Sequence, residues 1–231
     1  MKKQTWIIGI ILVLLIVGFC GCLDDDSEGD EQNNYNLPLQ GNFPSLYNIS
    51  NVPYFNQSGG FCYGCSAMMM LKYSGLTEEE VQEFKDFVEE NGQGGPPDIF
   101  IGFKEFDYDD DVNMGYSTDY VSEFAEFYEE FLEGPYEQIT LFQDATEALT
   151  HLKILVSSDI PVIVHIFPST GDHYVVVTGY DENNIYVNDP DPERTRPTIA
   201  IEDFLSEWVV PESEQNGEHI GFPGSYGMIW I

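Results

Sequence analysis

Apolar and polar positions divide the chain into three parts. Trp6 to Phe19 is an almost unbroken apolar run, whereas residues 23–36 (LDDDSEGDEQNNYN) hold almost no apolar side chain. From about Pro44 onward, apolar positions recur with the periods of helices and strands. The pattern predicts an N-terminal segment at 1–21, a flexible and self-repelling acidic spacer at 22–43, and one folded domain at 44–231.

Helical periodicity and capping residues occur in several parts of the domain. Thr77-Glu-Glu-Glu80 is a capping box, which predicts a helix reaching about Glu90. Asp144 is a candidate N-cap for a helix that ends near Ser157. Residues 66–73 are good helix formers, and Gly75 would end the helix that they form. Aromatic residues at helical spacing predict a further helix over 117–132.

β-Branched runs dominate the second half of the chain. They predict strands at Val162–Phe167, His173–Tyr180 and Ile185–Asn188, then a short helix at 201–209 and a closing strand at 226–231. The turn Asp181-Glu-Asn-Asn184 joins the second and third strands into an antiparallel hairpin. Helices first and an antiparallel sheet second predict an α+β domain.

The N-terminal segment has the features of an export signal. Lys2 and Lys3 precede the apolar run, as in a secretory signal peptide. The run ends in Gly21-Cys22, which resembles the lipobox of prokaryotic lipoproteins and implies lipidation of Cys22. The alternative is an uncleaved transmembrane anchor, because residues 5–23 are just long enough to span a bilayer. Both interpretations place the domain outside the cytoplasm, anchored to the outer face of the cell membrane.

Charge excludes one large class of partners. The chain has 41 acidic and 8 basic residues and a formal net charge of −33. Phosphate backbones are bound by clusters of Lys and Arg, so we expect no nucleic-acid partner. Such acidity instead favours basic partners, cations or a salty medium. At 42% hydrophobic and 14% aromatic residues, the chain has enough apolar mass to fold despite this charge.

Two cysteines, Cys62 and Cys65, remain in the domain. Two thiols cannot build a disulfide framework or a four-cysteine zinc site. They lie between the Gly59-Gly60 loop and the predicted helix, so we expect them in a loop that opens into that helix. A helix N-terminus stabilises a thiolate, which is the reactive form of a cysteine nucleophile.

A cysteine nucleophile needs a base, and the domain offers four histidines. His173 begins a strand, and the hairpin brings Asp189 close to it. A carboxylate beside an imidazole fixes the tautomer and stabilises the imidazolium, so a Cys–His–Asp triad is available in that chain order. We expect His165 to be a packed or edge residue, and His151 and His219 to lie on the surface.

Four motifs in this order carry a resemblance to a known family. They are VPYFNQ at 52–57, CYGCSAMMMLKYSG at 62–75, PVIVHI at 161–166 and GDHYVVVTGYDENNIYVNDP at 171–190. Together they resemble the bacteriocin-processing (double-glycine leader) peptidase-like family, a branch of the papain-like cysteine peptidases. The resemblance covers roughly Val52 to Trp208 and implies a papain-like fold, with the nucleophile helix packed on an antiparallel sheet.

The resemblance also implies roles for individual residues. Counting back from Gly75 puts the family nucleophile at Cys62, with His173 as the base, Asp189 as the orienting acid and Gln57 as the oxyanion-hole glutamine. The sequence departs from the family pattern after the nucleophile, where it reads Tyr-Gly-Cys. An alternative alignment, Cys-x-x-Cys-x-Ala, would make Cys65 the nucleophile, and the two thiols could also close to a disulfide.

The sequence therefore predicts a surface-tethered cysteine peptidase that acts on a peptide or protein. One alternative is a catalytically inactive cell-surface binding module of the same fold. A second is a thiol oxidoreductase that uses Cys62 and Cys65. No cofactor is expected. Asp107 to Asn113 alternates like a calcium loop but lacks its glycine and final glutamate, so no metal site is assigned there.

Overall fold

The computed structural model describes residues 43–91, 102–103, 105–106, 113–117, 139–194, 196–209 and 226–231. All of them belong to one unit, Asn34–Ile231, of the two units into which the chain divides. The predicted export segment, almost all of the acidic spacer, the Asp107 to Asn113 pattern except Asn113, and His219 lie outside the described residues.

Four helices within the described residues contain most of the predicted helical positions. They are α1 at Cys62–Tyr73, α2 at Glu78–Asn91, α3 at Ala145–Ser157 and α4 at Ile201–Trp208. The prediction for the cysteines was wrong in one respect. They do not lie in a loop, because α1 begins at Cys62 itself and already contains Cys65.

Two glycines shape α1, one in its first turn and one shortly after its last residue. At Gly64 an added Cβ would lie 2.0 Å from Cζ of Phe61, so only glycine lets that ring pack over the first turn. Gly75 has φ +114°, a conformation that favours glycine. Its N–H donates to the carbonyl of Lys72, and that of Leu76 donates to Leu71, which is a Schellman motif.

The predicted caps of α2 and α3 are confirmed. Thr77 Oγ1 accepts from the Glu80 N–H at 3.2 Å, and Glu80 Oε2 accepts from the Thr77 N–H at 2.8 Å. This exchange is the capping box. Asp144 Oδ1 accepts from the N–H groups of Thr146 and Glu147 at 2.8 and 2.9 Å, which fixes the start of α3.

The described strands form one sheet in the order β3-β2-β8-β4-β5-β6-β7, with β1 paired to β5. Their bounds are β1 Tyr47–Asn48, β2 Asn113–Ser117, β3 Ile139–Phe142, β4 Val162–Ile166, β5 His173–Tyr180, β6 Asn184–Asn188, β7 Thr198–Ala200 and β8 Met228–Trp230. The predicted strands correspond to β4, β5, β6 and β8. The pattern did not indicate β1, β2, β3 or β7.

Two features of this sheet depart from the prediction. β2 and β3 pair in parallel, so the sheet is mixed rather than purely antiparallel. Ser117, predicted to begin a helix, is the last residue of β2, and residues 118–132 of that predicted helix lie outside the described part.

The central strand β5 connects the sheet to the helices. Every residue of β5 is buried, as expected of a strand covered on both faces. It pairs with β4 and β6 along its edges and contacts α1 and α3. The α+β fold is therefore as predicted, with the cysteine-bearing helix packed on the strand that begins with His173.

Candidate active site

Cys62 is the first residue of α1 and is only 9% exposed. Phe61 occupies the N-cap position and has no side-chain oxygen to cap the helix, and the first turn carries no acidic residue. The positive end of the helix dipole is therefore available to a negative charge on the Cys62 sulfur.

His173 lies between Cys62 and Asp189. Its Nε2 is 2.5 Å from Asp189 Oδ1, and its ring lies near enough to the Cys62 side chain for Cys62 to raise its pKa. Burial lowers the pKa of His173, but the hydrogen bond to Asp189 and the interaction with Cys62 outweigh burial and raise the pKa to about 9. At neutral pH the ring is therefore an imidazolium, held between a carboxylate and a sulfur.

The hairpin explains how Asp189 reaches His173. Val176 pairs with Asn188, so Asp189 follows β6 at the end of the hairpin where β5 begins. The Asp181 carboxylate shapes the other end, accepting from the N–H groups of Asn183 and Asn184 at 2.7 and 2.8 Å. The Tyr186 hydroxyl and those N–H groups lower the pKa of Asp181 to about 2.

Asp189 is itself held in place. Its side chain is 9% exposed, and Oδ1 accepts from the Asp191 N–H at 2.9 Å as well as facing His173. A buried ion pair contributes only when further hydrogen bonds complete it, and this backbone N–H is one.

Cys65 has a different environment from Cys62. It lies one helical turn further on and is 3% exposed. Burial and the nearby Cys62 charge raise the pKa of Cys65 to about 11, so it stays a neutral thiol at physiological pH. Both thiols are unbridged. Of the two thiols, Cys62 is the one that acts on the pKa of His173, which favours the alignment with Cys62 as the reactive group.

Gln57 is hydrogen-bonded to the loop that carries Asp189. Its backbone N–H donates to the carbonyl of Pro190 at 2.8 Å. Its side-chain Oε1 is buried and has no hydrogen-bond partner within the described part of the chain. Sequence reasoning named Gln57 from the resemblance alone and gave no account of this attachment.

The remaining described histidines differ from one another. His165 is buried as expected and stacks on Tyr174, with ring centroids 4.2 Å apart. The expectation of a surface position for His151 was wrong, because that side chain is 2% exposed and lies between Phe142 and Trp230. Its helix is amphipathic, and His151 falls on the buried face with Ala148, Leu152 and Leu155.

Comparison with known proteins gives the site a family. The Peptidase_C39 like family matches residues 49–213, which is most of the chain. The chain belongs to this family. Membership in the Peptidase_C39 like family confirms the expected cysteine peptidase, and the matched residues include all four predicted site residues of the domain.

Individual relatives are distant or short matches. The lactococcin-A transport/processing ATP-binding protein of Lactococcus lactis subsp. lactis is 39% identical over 50 residues, covering 21% of this chain and 7% of that protein. The lactococcin transport/processing ATP-binding protein LcnC-like, from Lactococcus lactis subsp. lactis strain IL1403, matches to the same extent. The chain thus matches only a small part of the length of these curated relatives.

Two solved structures are also similar. A C39-like peptidase from Bacillus anthracis has a TM-score of 0.44 at 15% identity, covering 81% of this chain and 98% of that one. The peptidase domain of Streptococcus ComA, a bifunctional ABC transporter involved in a quorum-sensing pathway, has a TM-score of 0.43 at 17% identity, covering 78% and 98%.

The described residues hold neither a recognisable metal centre nor a membrane-spanning helix. Within those ranges, no group of three His, Cys, Asp or Glu side chains is arranged to hold a metal ion. Within the same ranges, no helix combines the length and apolar character that a membrane span needs.

Proposed function

We propose that this member of the Peptidase_C39 like family cleaves a peptide bond through a triad of Cys62, His173 and Asp189, with Gln57 as an oxyanion donor. The observation that carries the proposal is the position of His173, which hydrogen-bonds Asp189 and lies beside Cys62. A nucleophile beside a base, with the base oriented by a third group, is the arrangement that covalent catalysis requires.

The chemistry follows from these contacts. The Cys62 thiolate attacks the scissile carbonyl, and the Gln57 amide donates to the resulting oxyanion. His173 gives its proton to the leaving amine as the carbon–nitrogen bond breaks. Neutral His173 then takes a proton from water, whose oxygen attacks the acyl-enzyme and releases the acid and the Cys62 thiolate. Asp189 holds Nε2, which leaves Nδ1 for the Cys62 sulfur.

We also propose that the peptidase acts outside the cytoplasm while tethered by its N-terminus. Lys2, Lys3 and the apolar run through Phe19 support export, and Gly21-Cys22 supports lipidation at Cys22. The acidic spacer at 22–43 would hold the domain away from the membrane. The substrate is then a peptide or protein on that side of the membrane.

Paired cysteine variants test the nucleophile. Hydrolysis of a fluorescein-labelled casein and pseudo-first-order labelling by iodoacetamide would be measured for the wild type, Cys62→Ala and Cys65→Ala. We expect Cys62→Ala to lose hydrolysis and the fast-labelling thiol while keeping its circular dichroism, and Cys65→Ala to retain both activities. Loss in Cys65→Ala with activity in Cys62→Ala would reverse the assignment.

The same assay separates the alternatives. A binding module without catalysis would show no hyperreactive thiol in the wild type, and a thiol oxidoreductase would reduce insulin disulfides with both cysteines cycling. His173→Ala should slow both labelling and hydrolysis. For an oxyanion donor, Gln57→Ala should lower kcat by about 10²-fold or more and leave labelling nearly unchanged.

The tether has its own test. The full chain, expressed in a bacterium with a lipoprotein pathway, should partition into the detergent phase of Triton X-114 and incorporate labelled palmitate. Cys22→Ser should lose the palmitate label. Unchanged labelling in Cys22→Ser would reject lipidation at this residue, and detergent partition without any label would favour the uncleaved anchor.

A further inference from the structure

The segment Val52–Gln57 is neither helix nor strand, yet it is bound to the loop that carries the acid of the proposed triad. Asn188 Nδ2 donates to the carbonyls of Val52 and Pro53 at 3.4 and 3.2 Å. The Gln57 N–H donates to the carbonyl of Pro190 at 2.8 Å. These bonds join the segment to the end of β6 and to the loop that follows it.

Tyr54 supplies the bond at the middle of this junction. Its hydroxyl donates to the main-chain carbonyl of Asp189 at 2.7 Å, between residues 135 positions apart in the chain. The ring is 49% exposed, so core packing does not account for its place. Partial burial and the nearby charges of Asp189 and Asp191 raise the pKa of Tyr54, so the hydroxyl stays protonated and able to donate at neutral pH.

The bond restrains the peptide unit between Asp189 and Pro190, because it is made to the Asp189 carbonyl oxygen. An aspartate has only two side-chain torsions, so the position of its carboxylate depends closely on its backbone. A carboxylate that drifts away from His173 weakens the hydrogen bond that favours the imidazolium. The hydrogen bond from Tyr54 to the Asp189 carbonyl therefore influences the pKa of His173, because it helps to position the Asp189 carboxylate.

We propose that Tyr54 is a positioning residue, which fixes the backbone of Asp189 and ties it to the segment that presents Gln57. The proposal rests on the proposed triad. Tyr54 touches neither the substrate carbonyl nor the sulfur in this role, and it acts by keeping the acid and the oxyanion donor in register.

Tyr54→Phe removes the hydroxyl and keeps the exposed ring. We expect kcat to fall by about tenfold with KM unchanged. We also expect the alkaline limb of the pH–rate profile to shift to lower pH by about half a unit, because loosened Asp189 favours the imidazolium less. The His173 ring titration, followed by NMR, should shift downward by the same amount.

Tyr47→Phe is the matched control. The Tyr47 hydroxyl donates to Asp159 at 2.8 Å, in a bond of similar length and exposure that does not involve the acid-bearing loop. This variant should keep the wild-type rate, pH profile and His173 titration. Equal behaviour of Tyr54→Phe and Tyr47→Phe would overturn the proposal.

Two further outcomes are decisive. A fall in the Tyr54→Phe rate with an unmoved His173 titration would indicate a merely structural role and would also overturn the proposal. If the wild type hydrolyses no peptide, the proposed function fails, but the NMR titration of the two variants still tests the link from Tyr54 to His173. A downward shift confined to Tyr54→Phe would uphold that link.

Discussion

His173 Nε2 lies 2.5 Å from Asp189 Oδ1, at the end of a hairpin that separates the two residues by 16 positions. Both side chains are more than nine-tenths buried. An imidazolium in this setting depends on its carboxylate, because an uncompensated buried charge is strongly destabilising. The pair therefore sets the pH range in which the site keeps its proton.

The first prediction concerns that range. The pKa of His173 is raised to about 9, so hydrolysis should fall as the pH rises through 9 and the leaving amine loses its proton donor. The proton also stabilises the fold. That contribution is complete below the unfolded histidine value of about 6.5 and is lost as the pH rises through the folded value.

Asp189→Asn tests this prediction. The neutral amide should lower the pKa of His173 and move the alkaline limb to lower pH. Iodoacetamide labelling should not fall at high pH, because alkylation needs the thiolate and no proton donor. An alkaline limb that stays in place in Asp189→Asn would contradict the prediction.

The second prediction concerns oxidation. Cys62 and Cys65 lie three residues apart in the first turn of α1, a spacing at which the side chains are neighbours and a disulfide can close. Peroxide should convert the Cys62 thiolate to a sulfenic acid, with release of water. The Cys65 sulfur then displaces a second water to form the disulfide.

Peroxide should therefore block labelling and hydrolysis, and dithiothreitol should restore both. The control is Cys65→Ala, in which the sulfenic acid has no neighbouring thiol and excess peroxide should cause a loss that dithiothreitol does not reverse. Peptide mapping would identify the Cys62–Cys65 bridge. Full recovery of the oxidised Cys65→Ala variant would argue against a resolving role for Cys65.

The third prediction concerns the start of α3. Asp144→Ala removes the acceptor for two backbone N–H groups and should destabilise the fold by about 1 kcal/mol, a fall in Tm of roughly 2–4 °C. Asp144→Asn is the matched variant, since asparagine caps helices about as well as aspartate. Calorimetry should rank the wild type and Asp144→Asn together, above Asp144→Ala.

The fourth prediction concerns acid stability. Burial lowers the pKa of His151, although Glu147 acts in the opposite direction. The unfolded chain therefore takes up a proton more readily than the folded one, and stability should fall as the pH drops below about 6.5. His151→Leu should flatten the dependence of Tm on pH between 7 and 5, whatever its effect on Tm at pH 7. An unchanged slope would mean that His151 does not titrate in this range.

The fifth prediction concerns salt. Four basic side chains of the described region already pair with acids, in Lys72–Glu78, Lys85–Glu89, Arg194–Asp191 and Arg196–Glu207. With a net charge of −33 on the chain, many other carboxylates repel one another. Thermal melts of the domain without residues 1–36 should show a higher Tm in 1 M NaCl, where the Debye length is about 3 Å. A Tm unchanged or lowered by salt would leave the acidity as a solubility trait.

Local rules were enough for the elements near the site. The Thr77 capping box, the Asp144 cap and the β5–β6 hairpin depend on residues within a few positions of each other, so the sequence shows them directly. The hairpin also predicted the approach of Asp189 to His173. Gln57 became a candidate only through the family resemblance.

Other features depend on distant partners. β1 and β7 have only two and three residues, too few for a period to be recognised. The burial of His151 depends on Phe142 and Trp230, which the strands bring to α3 from remote positions. The Phe61 ring packs over Gly64 in the first turn of α1, a contact that helix propensity alone does not reveal.

The bond between Tyr54 and Asp189 closes a loop of 135 residues. Contacts between distant residues form only after their loop-closure entropy is offset, so we expect this junction to form late in folding, after α1 and the hairpin have formed locally. The proposed nucleophile would then be present in the nascent polypeptide before the rest of the site assembles. In refolding, helical signal should recover before hydrolytic activity. The interval between the two measures how long the folding chain remains without peptidase activity.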